Sequence, residues 1–398
     1  MKWVPLKRLV DERRPLTYGI VQAGPDTPDG VPYIRPIDMR GHRGVVVEAL
    51  QRTTAEVDAS YRRSRIVAGD IVVSIGPGFG KTMIVPADLD GANLTQGTAR
   101  VAAGPHVDSR YLIWALQSAT SLAHWQRSVG GATFRALNLG PLAQTPIPSW
   151  GLANERAIAD YLDRETAQID ALIAKQEQLI ATLRERRVAA AASMVGDAGG
   201  RTARIKDVAA LVNGYPFDAG LFRDSGDIPL VRIRDILGST FGTFLAREQV
   251  PDTALVRDGD LVIGMDGDFN STLWSRGAAA LNQRVCLLRE TGDASMSYLS
   301  YALPTYLGVI NDLTYSTTVK HLSSKQVLNI ALPLPPLDEQ RRVAAQLDEQ
   351  MMKIDALIGK AQQFIMLAKE RRAALITVAV TGQIAVPGFD PDETTKVA

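Results

Sequence analysis

At 398 residues the chain is too long for one ordinary hydrophobic core, so two or more folding units are expected. Its 44 Lys and Arg against 43 Asp and Glu leave a formal net charge of +1, which excludes a uniformly basic, polyanion-coating protein but leaves room for local basic patches. With 46% apolar and 22% charged residues the composition is globular, and the single Cys286 excludes an intramolecular disulfide and fits a reducing cytoplasm.

The first residues, MKWVPLKRLVDERRPL, hold no apolar stretch of signal-peptide length, and no run of 18 apolar residues occurs anywhere, so no membrane segment is expected. Short apolar runs such as Ile71–Ile75, bounded by Gly, Asp and Pro, read as strands and turns. Gly76–Thr82 (GPGFGKT) follows one of them. A phosphate-cradling loop needs a glycine five residues before Gly80, and that position is Ile75; the following Met83–Pro86 reads as strand rather than helix. A glycine-rich turn is the simpler reading. A helical stretch is expected near Ser109–Gln126.

Pro146 and Pro148 stop the chain before a long gap-free segment. From Leu152 to Ala192 there is no Gly or Pro, and Ile158, Leu162, Ile169, Leu172, Ile173, Leu179, Ile180 and Leu183 recur at helical spacing. Acidic residues crowd its first half and Arg184, Arg186 and Arg187 its end, as the helix dipole favours. At 1.5 Å per residue this is a helix of roughly 60 Å, and one apolar stripe on so long a rod calls for a second rod to cover it.

Further along, Ile228–Ile233 and Leu261–Ile263 read as strands and Ser297–Leu313 as a helix. Pro333, Pro335 and Pro336 then precede a second periodic run through Val343, Leu347, Ile354, Leu357, Ile358, Phe364 and Ile365. This run repeats the first. Residues 154–192 laid on 339–377 without a gap give 16 identities in 39 positions, among them Arg156/Arg341, Leu162/Leu347, Asp163/Asp348 and the pentapeptide IDALI at 169–173 and 354–358. Upstream, Thr133 falls on Thr318, Leu137 on Leu322 and Pro148 on Pro333. With small gaps, Gly69-Asp70 matches Gly259-Asp260. The chain is therefore two copies of one plan, a divergent domain followed by a similar helix.

Catalytic signatures are missing. No Glu has Lys two positions later, as a common metal nuclease requires, and Pro335-Pro336 is followed by Leu337 rather than the aromatic residue of an adenine-gripping loop. The histidines His42, His106, His124 and His321 have no ligand spacing, and Cys286 reads as a buried thiol. No metal or catalytic residue is assigned.

With the repeat in hand, the residues resemble the specificity subunit of type I restriction-modification systems over nearly the whole chain. The resemblance rests on Ala331–Val343 (ALPLPPLDEQRRV), Ile354–Ile358 (IDALI) and Lys369–Arg372 (KERR). Upstream it is joined by Tyr33–Met39 (YIRPIDM), Pro229–Asp235 (PLVRIRD), the two Gly-Asp turns and Leu281–Gln283 (LNQ). The first copy departs at Pro148–Glu155 (PSWGLANE), a degraded lead-in, and at Thr95-Gln96, where the second copy has Asn282-Gln283.

The resemblance implies an α+β protein with two mixed α/β target recognition domains, 1–147 and 198–332. Two long antiparallel helices paired as a coiled coil, 148–197 and 333–385, act as spacers in a pseudo-twofold internal repeat, and a tail follows at 386–398. It implies sequence-specific binding of double-stranded DNA at a split, asymmetric target, with two methyltransferase subunits and restriction subunits as partners in the cytoplasm. No cofactor is expected on this chain; S-adenosylmethionine, ATP and Mg belong to those partners. The rival readings are a coiled-coil adaptor for proteins and a nuclease or methyltransferase with an unrecognised site.

Candidate phosphate contacts are Arg62, Arg63, Arg65 and Lys320, and candidate base readers are Lys81, Asn270 and Arg276. Thr133 with Arg135 and Thr318 with Lys320 occupy matched late positions that suit backbone contact. On the helices Arg156, Arg186, Arg187, Arg341, Arg371 and Arg372 are candidates for partner docking, or neutralise helix ends.

Overall fold

A computed structural model describes residues 1–40, 44–129, 136–314 and 320–390. The chain divides into two compact units, Met1–Gln176 with Gln362–Ala398, and Glu177–Ala361. Neither unit is a continuous stretch of recognition domain alone, because each includes part of both long helices.

In the first unit Lys2–Pro5 pairs antiparallel with Pro146–Ser149. A four-stranded antiparallel sheet has the order Thr17–Tyr18, Thr98–Val101, Ile71–Ser74, Thr82–Ile84, and a three-stranded sheet sets Val31–Ile34 between Arg52–Thr53 and Asn93–Leu94, the last pairing parallel. The expected helix is present but broken at Ser118 into Ser109–Gln117 and Ala119–Ser128. Ser118 sits in extended geometry and accepts from the Ser121 N–H, a helix cap placed in mid-stretch.

The second unit repeats this plan. Arg201–Arg204 pairs with Ala331–Leu334. One four-stranded sheet runs Ala209–Asn213, Val285–Glu290, Leu261–Gly264, Ser271–Leu273. Another runs Phe244–Leu245, Ile228–Val231, Ala279–Leu281, Leu255–Val256, with Ile228–Val231 parallel to Ala279–Leu281. A single helix, Met296–Leu313, replaces the broken pair. The proline segments expected only to stop the chain are thus strands, held by the first strand of their own domain.

The Gly-Asp motif has a structural cause. Gly69 and Gly259 turn at φ 89° and 93°, where only glycine is comfortable, and Asp70 and Asp260 accept the N–H three residues back, from Val67 and Arg257. Both carboxylates are buried and gripped by an arginine through two nitrogens, Arg14 for Asp70 (2.7 and 2.5 Å) and Arg289 for Asp260 (2.8 and 2.6 Å).

The long helices span Leu152–Asp197 and Leu337–Val380. Ile158, Ile169, Ile173, Ile180 and Leu183 bury their side chains, as do Val343, Leu347 and Ile354. In the first unit Ile158, Ala159 and Leu162 share a core with Ile376, Ala379 and Val380; in the second Leu183 and Val195 share one with Val343, Leu347 and Ile354. The two rods therefore run antiparallel. Leu172, Leu179, Leu357 and Phe364, which the periodicity places on the same stripe, are instead 47%, 43%, 49% and 41% exposed. They form a second ridge, and it recurs at matched positions.

Cys286 is fully buried in the strand Val285–Glu290, and burial pushes its thiol up to about 12. With thiolate scarce and access closed, we expect iodoacetamide to leave the native protein unlabelled at pH 8 and to label it completely in denaturant, measured by intact mass.

Candidate nucleic-acid interface and helix junctions

Each long helix is bolted to its own domain by one set of contacts made twice. The Tyr111 hydroxyl donates to the Pro148 carbonyl (2.5 Å) and that of Tyr298 to Pro333 (3.0 Å). Trp114 Nε1 donates to Asp163 (2.8 Å) and the Tyr301 hydroxyl to Asp348 (2.5 Å). In the first helical turn Glu155 accepts the N–H of Asp108 (3.1 Å), and Gln340 that of Ser295 (2.8 Å). Asp108 and Ser295 are themselves the N-caps of the domain helices, so the first turn of each long helix is tied to the start of a domain helix.

The acid-to-amide exchange between Glu155 and Gln340 follows the backbone. Residue 150 is Trp, whose N–H Glu155 accepts at 3.4 Å; its match, Pro335, has no N–H, and the Gln340 amide donates instead to the Pro335 carbonyl at 2.9 Å. Burial raises the pKa of Glu155, and the accepted N–H groups of Asp108 and Trp150 oppose this.

The helix arginines separate into two kinds. Arg372 bonds Asp170 at 3.1 Å and lies 5.4 Å from the Trp114 ring centroid, and Arg187 bonds Asp355 at 2.9 Å. The repeat exchanges these pairs: Asp170 matches Asp355 and Arg187 matches Arg372, the pattern that a twofold pairing of two similar rods produces. Arg186, Arg341 and Arg371 are exposed and make no ion pair among the described residues, while Arg156 lies 3.7 Å from Asp108. Docking thus remains open to the first arginine of each Arg-Arg pair, whereas the second staples the helices.

The candidates in the domains also divide. Arg62 and Arg63 are exposed in a short turn of helix, Arg62–Ser64, at the wall of a cleft of about 820 Å³. Arg65 lines the same cleft, but its guanidinium is bound to the buried Asp58. Lys81 sits on the hairpin joining Ile71–Ser74 to Thr82–Ile84, its amine 3.1 Å from the Pro36 carbonyl, and Asn270 on the equivalent hairpin of the second domain. Lys81 is exposed on its hairpin and Asn270 partly so.

Arg276 does not: it donates to the carbonyls of Asp235, Ile236 and Gly238 and stacks 3.9 Å from the Trp274 ring centroid, so its donors hold a turn together. Lys320 is likewise engaged, by the Asn311 carbonyl and side-chain oxygen at 2.7 and 2.9 Å. Thr133, Arg135 and Thr318 lie outside the described residues. The sequence reading missed Arg13, Arg14 and Arg100 of the cleft, although an arginine inside the buried strand Thr98–Val101 is a signal in itself.

Among the described residues no cluster of His, Cys, Asp and Glu is arranged to hold a metal, and no helix is long and apolar enough to cross a membrane. Two differently decorated α/β heads are each joined to a matched long helix. Residues 201–363 match the family described as the type I restriction modification DNA specificity domain.

The chain is 41% identical over 179 residues to the EcoBI specificity subunit of Escherichia coli, covering 44% of this chain and 38% of that one. It is 22% identical over 169 residues to the EcoKI specificity subunit of E. coli K12, covering 39% and 36%. It thus spans well under half the length of these relatives. A chain from a solved type I R-M system superposes with a TM-score of 0.67 over 96% of this chain and 98% of that one at 19% identity. The HsdS subunit of Thermoanaerobacter tengcongensis gives 0.52 over 96% and 97% at 18%. These structures establish the shared fold, and no enzyme family is indicated.

The two staples differ in burial: the Arg372 side chain is 13% exposed and that of Arg187 49%. Arg372→Ala is expected to cost about 1–3 kcal/mol, since it removes a largely buried ion pair and the guanidinium packed near the Trp114 ring. Arg187→Ala is expected to cost under about 1 kcal/mol. Urea unfolding of both variants measures the difference.

Proposed function

We propose that the chain is the DNA-specificity subunit of a type I restriction-modification complex. Each α/β head reads one half of a split, asymmetric target, and the paired helices carry two copies of a methyltransferase subunit, with restriction subunits added to them. The observation that carries this reading is the contrast between copies. The junctions Tyr111/Tyr298, Glu155/Gln340 and Asp163/Asp348 repeat contact for contact, while the surfaces of the heads do not. Different heads suit two different half-sites; similar helices suit two identical partners.

The exposed ridge supports the partner side. Leu172 and Leu179 on one helix match Leu357 and Phe364 on the other, and apolar side chains left open twice at equivalent places fit one kind of surface docking twice. The chain itself supplies recognition and scaffolding in the cytoplasm and no catalytic group. S-adenosylmethionine, ATP and Mg serve the chemistry of the methyltransferase and restriction subunits.

Replacing residues 1–147 by the equivalent part of another specificity subunit is expected to change one half of the methylated sequence, read by methylome sequencing. A change in both halves would refute separate reading heads. Leu172→Asp combined with Leu357→Asp is expected to abolish co-purification of methyltransferase subunits while leaving the melting temperature within about 2 °C, because neither side chain is in the core.

A further inference from the structure

The first domain has a cationic cleft, and four of its arginines have no arginine at the matched positions of the second. Arg13, Arg14, Arg62, Arg63, Arg65 and Arg100 line it, and its volume is about 820 Å³. Two of the six guanidiniums are neutralised in place, Arg14 by Asp70 and Arg65 by Asp58. Arg13, Arg62 and Arg63 are exposed and make no ion pair with any described residue. Arg100 is 5% exposed, held at 2.7 Å by the carbonyls of Arg63 and Arg65 and at 3.2 Å by that of Pro15, and its Nε–H has no hydrogen-bond partner.

Burial pushes the pKa of Arg100 down and the nearby Arg14 adds to this, with Asp70 and Asp11 opposing; a guanidinium nevertheless remains charged at neutral pH. The cleft therefore holds a buried cation that no carboxylate touches, beneath three unpaired ones. Gathering like charges in this way opposes folding, and an incoming anion offsets that cost.

The charge is a property of one copy. Ile66 bonds the Ala92 carbonyl as Val256 pairs with Ala279, which fixes the correspondence of the two domains here. Arg62, Arg63 and Arg65 then fall on Asp252, Thr253 and Leu255, and Arg100, opposite Val72, falls on Leu287, opposite Val262. Three free guanidiniums around a cleft much larger than one phosphate suit an extended polyanion with regularly placed charges, and the planar fork of arginine suits phosphate oxygens. Tyr18 and Val21 add half-exposed apolar surface for sugar faces at the same cleft.

We propose that Arg13, Arg62 and Arg63 grip consecutive phosphodiester groups of the DNA backbone beside the half-site read by the first domain, and that the second domain has no counterpart of this grip. This rests on the DNA-specificity reading above.

The test uses the full chain in complex with its methyltransferase subunits and a duplex carrying the target found by methylome sequencing. Anisotropy titrations run from about 50 to 300 mM KCl. Arg62→Ala with Arg63→Ala is expected to make the plot of log affinity against log salt shallower by about two and to weaken binding about tenfold or more, with the preferred sequence unchanged. Adding Arg13→Ala is expected to remove about one further unit of slope. The melting temperature should hold, because these side chains pair with no described residue, and Thr253→Ala at the matched position should leave the slope unchanged.

If the parent complex prefers its target but the double variant keeps the full slope, the grip is refuted and the DNA reading stands. If the parent complex shows no sequence preference, that reading fails and this inference with it. Inorganic phosphate and dAMP, titrated separately, are expected not to saturate the protein below millimolar concentration. Tight saturable binding of either, with an unchanged duplex slope in the variant, assigns the cleft to a small phosphorylated ligand and overturns the proposal.

Discussion

A helix of more than forty residues with an apolar stripe along one side is not stable by itself in water, and the need to cover that stripe governs this protein. Each rod answers it with the other. The solution is antiparallel, so the beginning of one helix lies with the end of its mate inside each compact unit, where both share a core with one α/β head. The ion pairs Asp170–Arg372 and Arg187–Asp355 then fix the register of a contact that apolar packing alone leaves free to slip.

Around that constraint the two copies have diverged unevenly. Junction contacts persist even where residue types change, as when Tyr301 takes the place of Trp114 opposite the matched aspartate. The exchange of Glu155 for Gln340 shows how closely such a site tracks its surroundings: a carboxylate stands where the neighbouring backbone offers an N–H, an amide where a proline offers only a carbonyl. On the heads the Gly-Asp turns and their arginine clamps recur, but the surface around them does not. Arg62, Arg63 and Arg65 in one copy correspond to Asp252, Thr253 and Leu255 in the other.

The parts of this structure governed by local periodicity were legible from residues alone. The helices, their repeat offset and the Gly-Asp turns follow from spacing and from glycine's tolerance of positive φ. The glycine-rich segment around Lys81 is the hairpin that its flanking strand character implied. What spacing does not encode is which of several apolar positions ends up covered: Leu172 and Ile173 are neighbours in one periodic run, yet one is buried and the other open.

Side-chain partners across long separations are equally silent in a sequence. Arg276 and Lys320 looked available, and only the fold reveals the carbonyls that occupy them. The N-terminal strands Lys2–Pro5 and Arg201–Arg204 escaped notice as equivalents because they share almost no residue types; their common role is visible only in what they pair with.

That pairing has a consequence for how such proteins change. The strand that enters each head is paired along its length with the strand that leaves it, so the two ends of the head lie side by side. Exchange of the segment between these two neighbouring strands also replaces Asp108, Tyr111 and Trp114, or Ser295, Tyr298 and Tyr301, so the long helix is anchored again only where the incoming head supplies equivalent partners. A head that carries those partners can stand in for another without disturbing the pairing of the two helices.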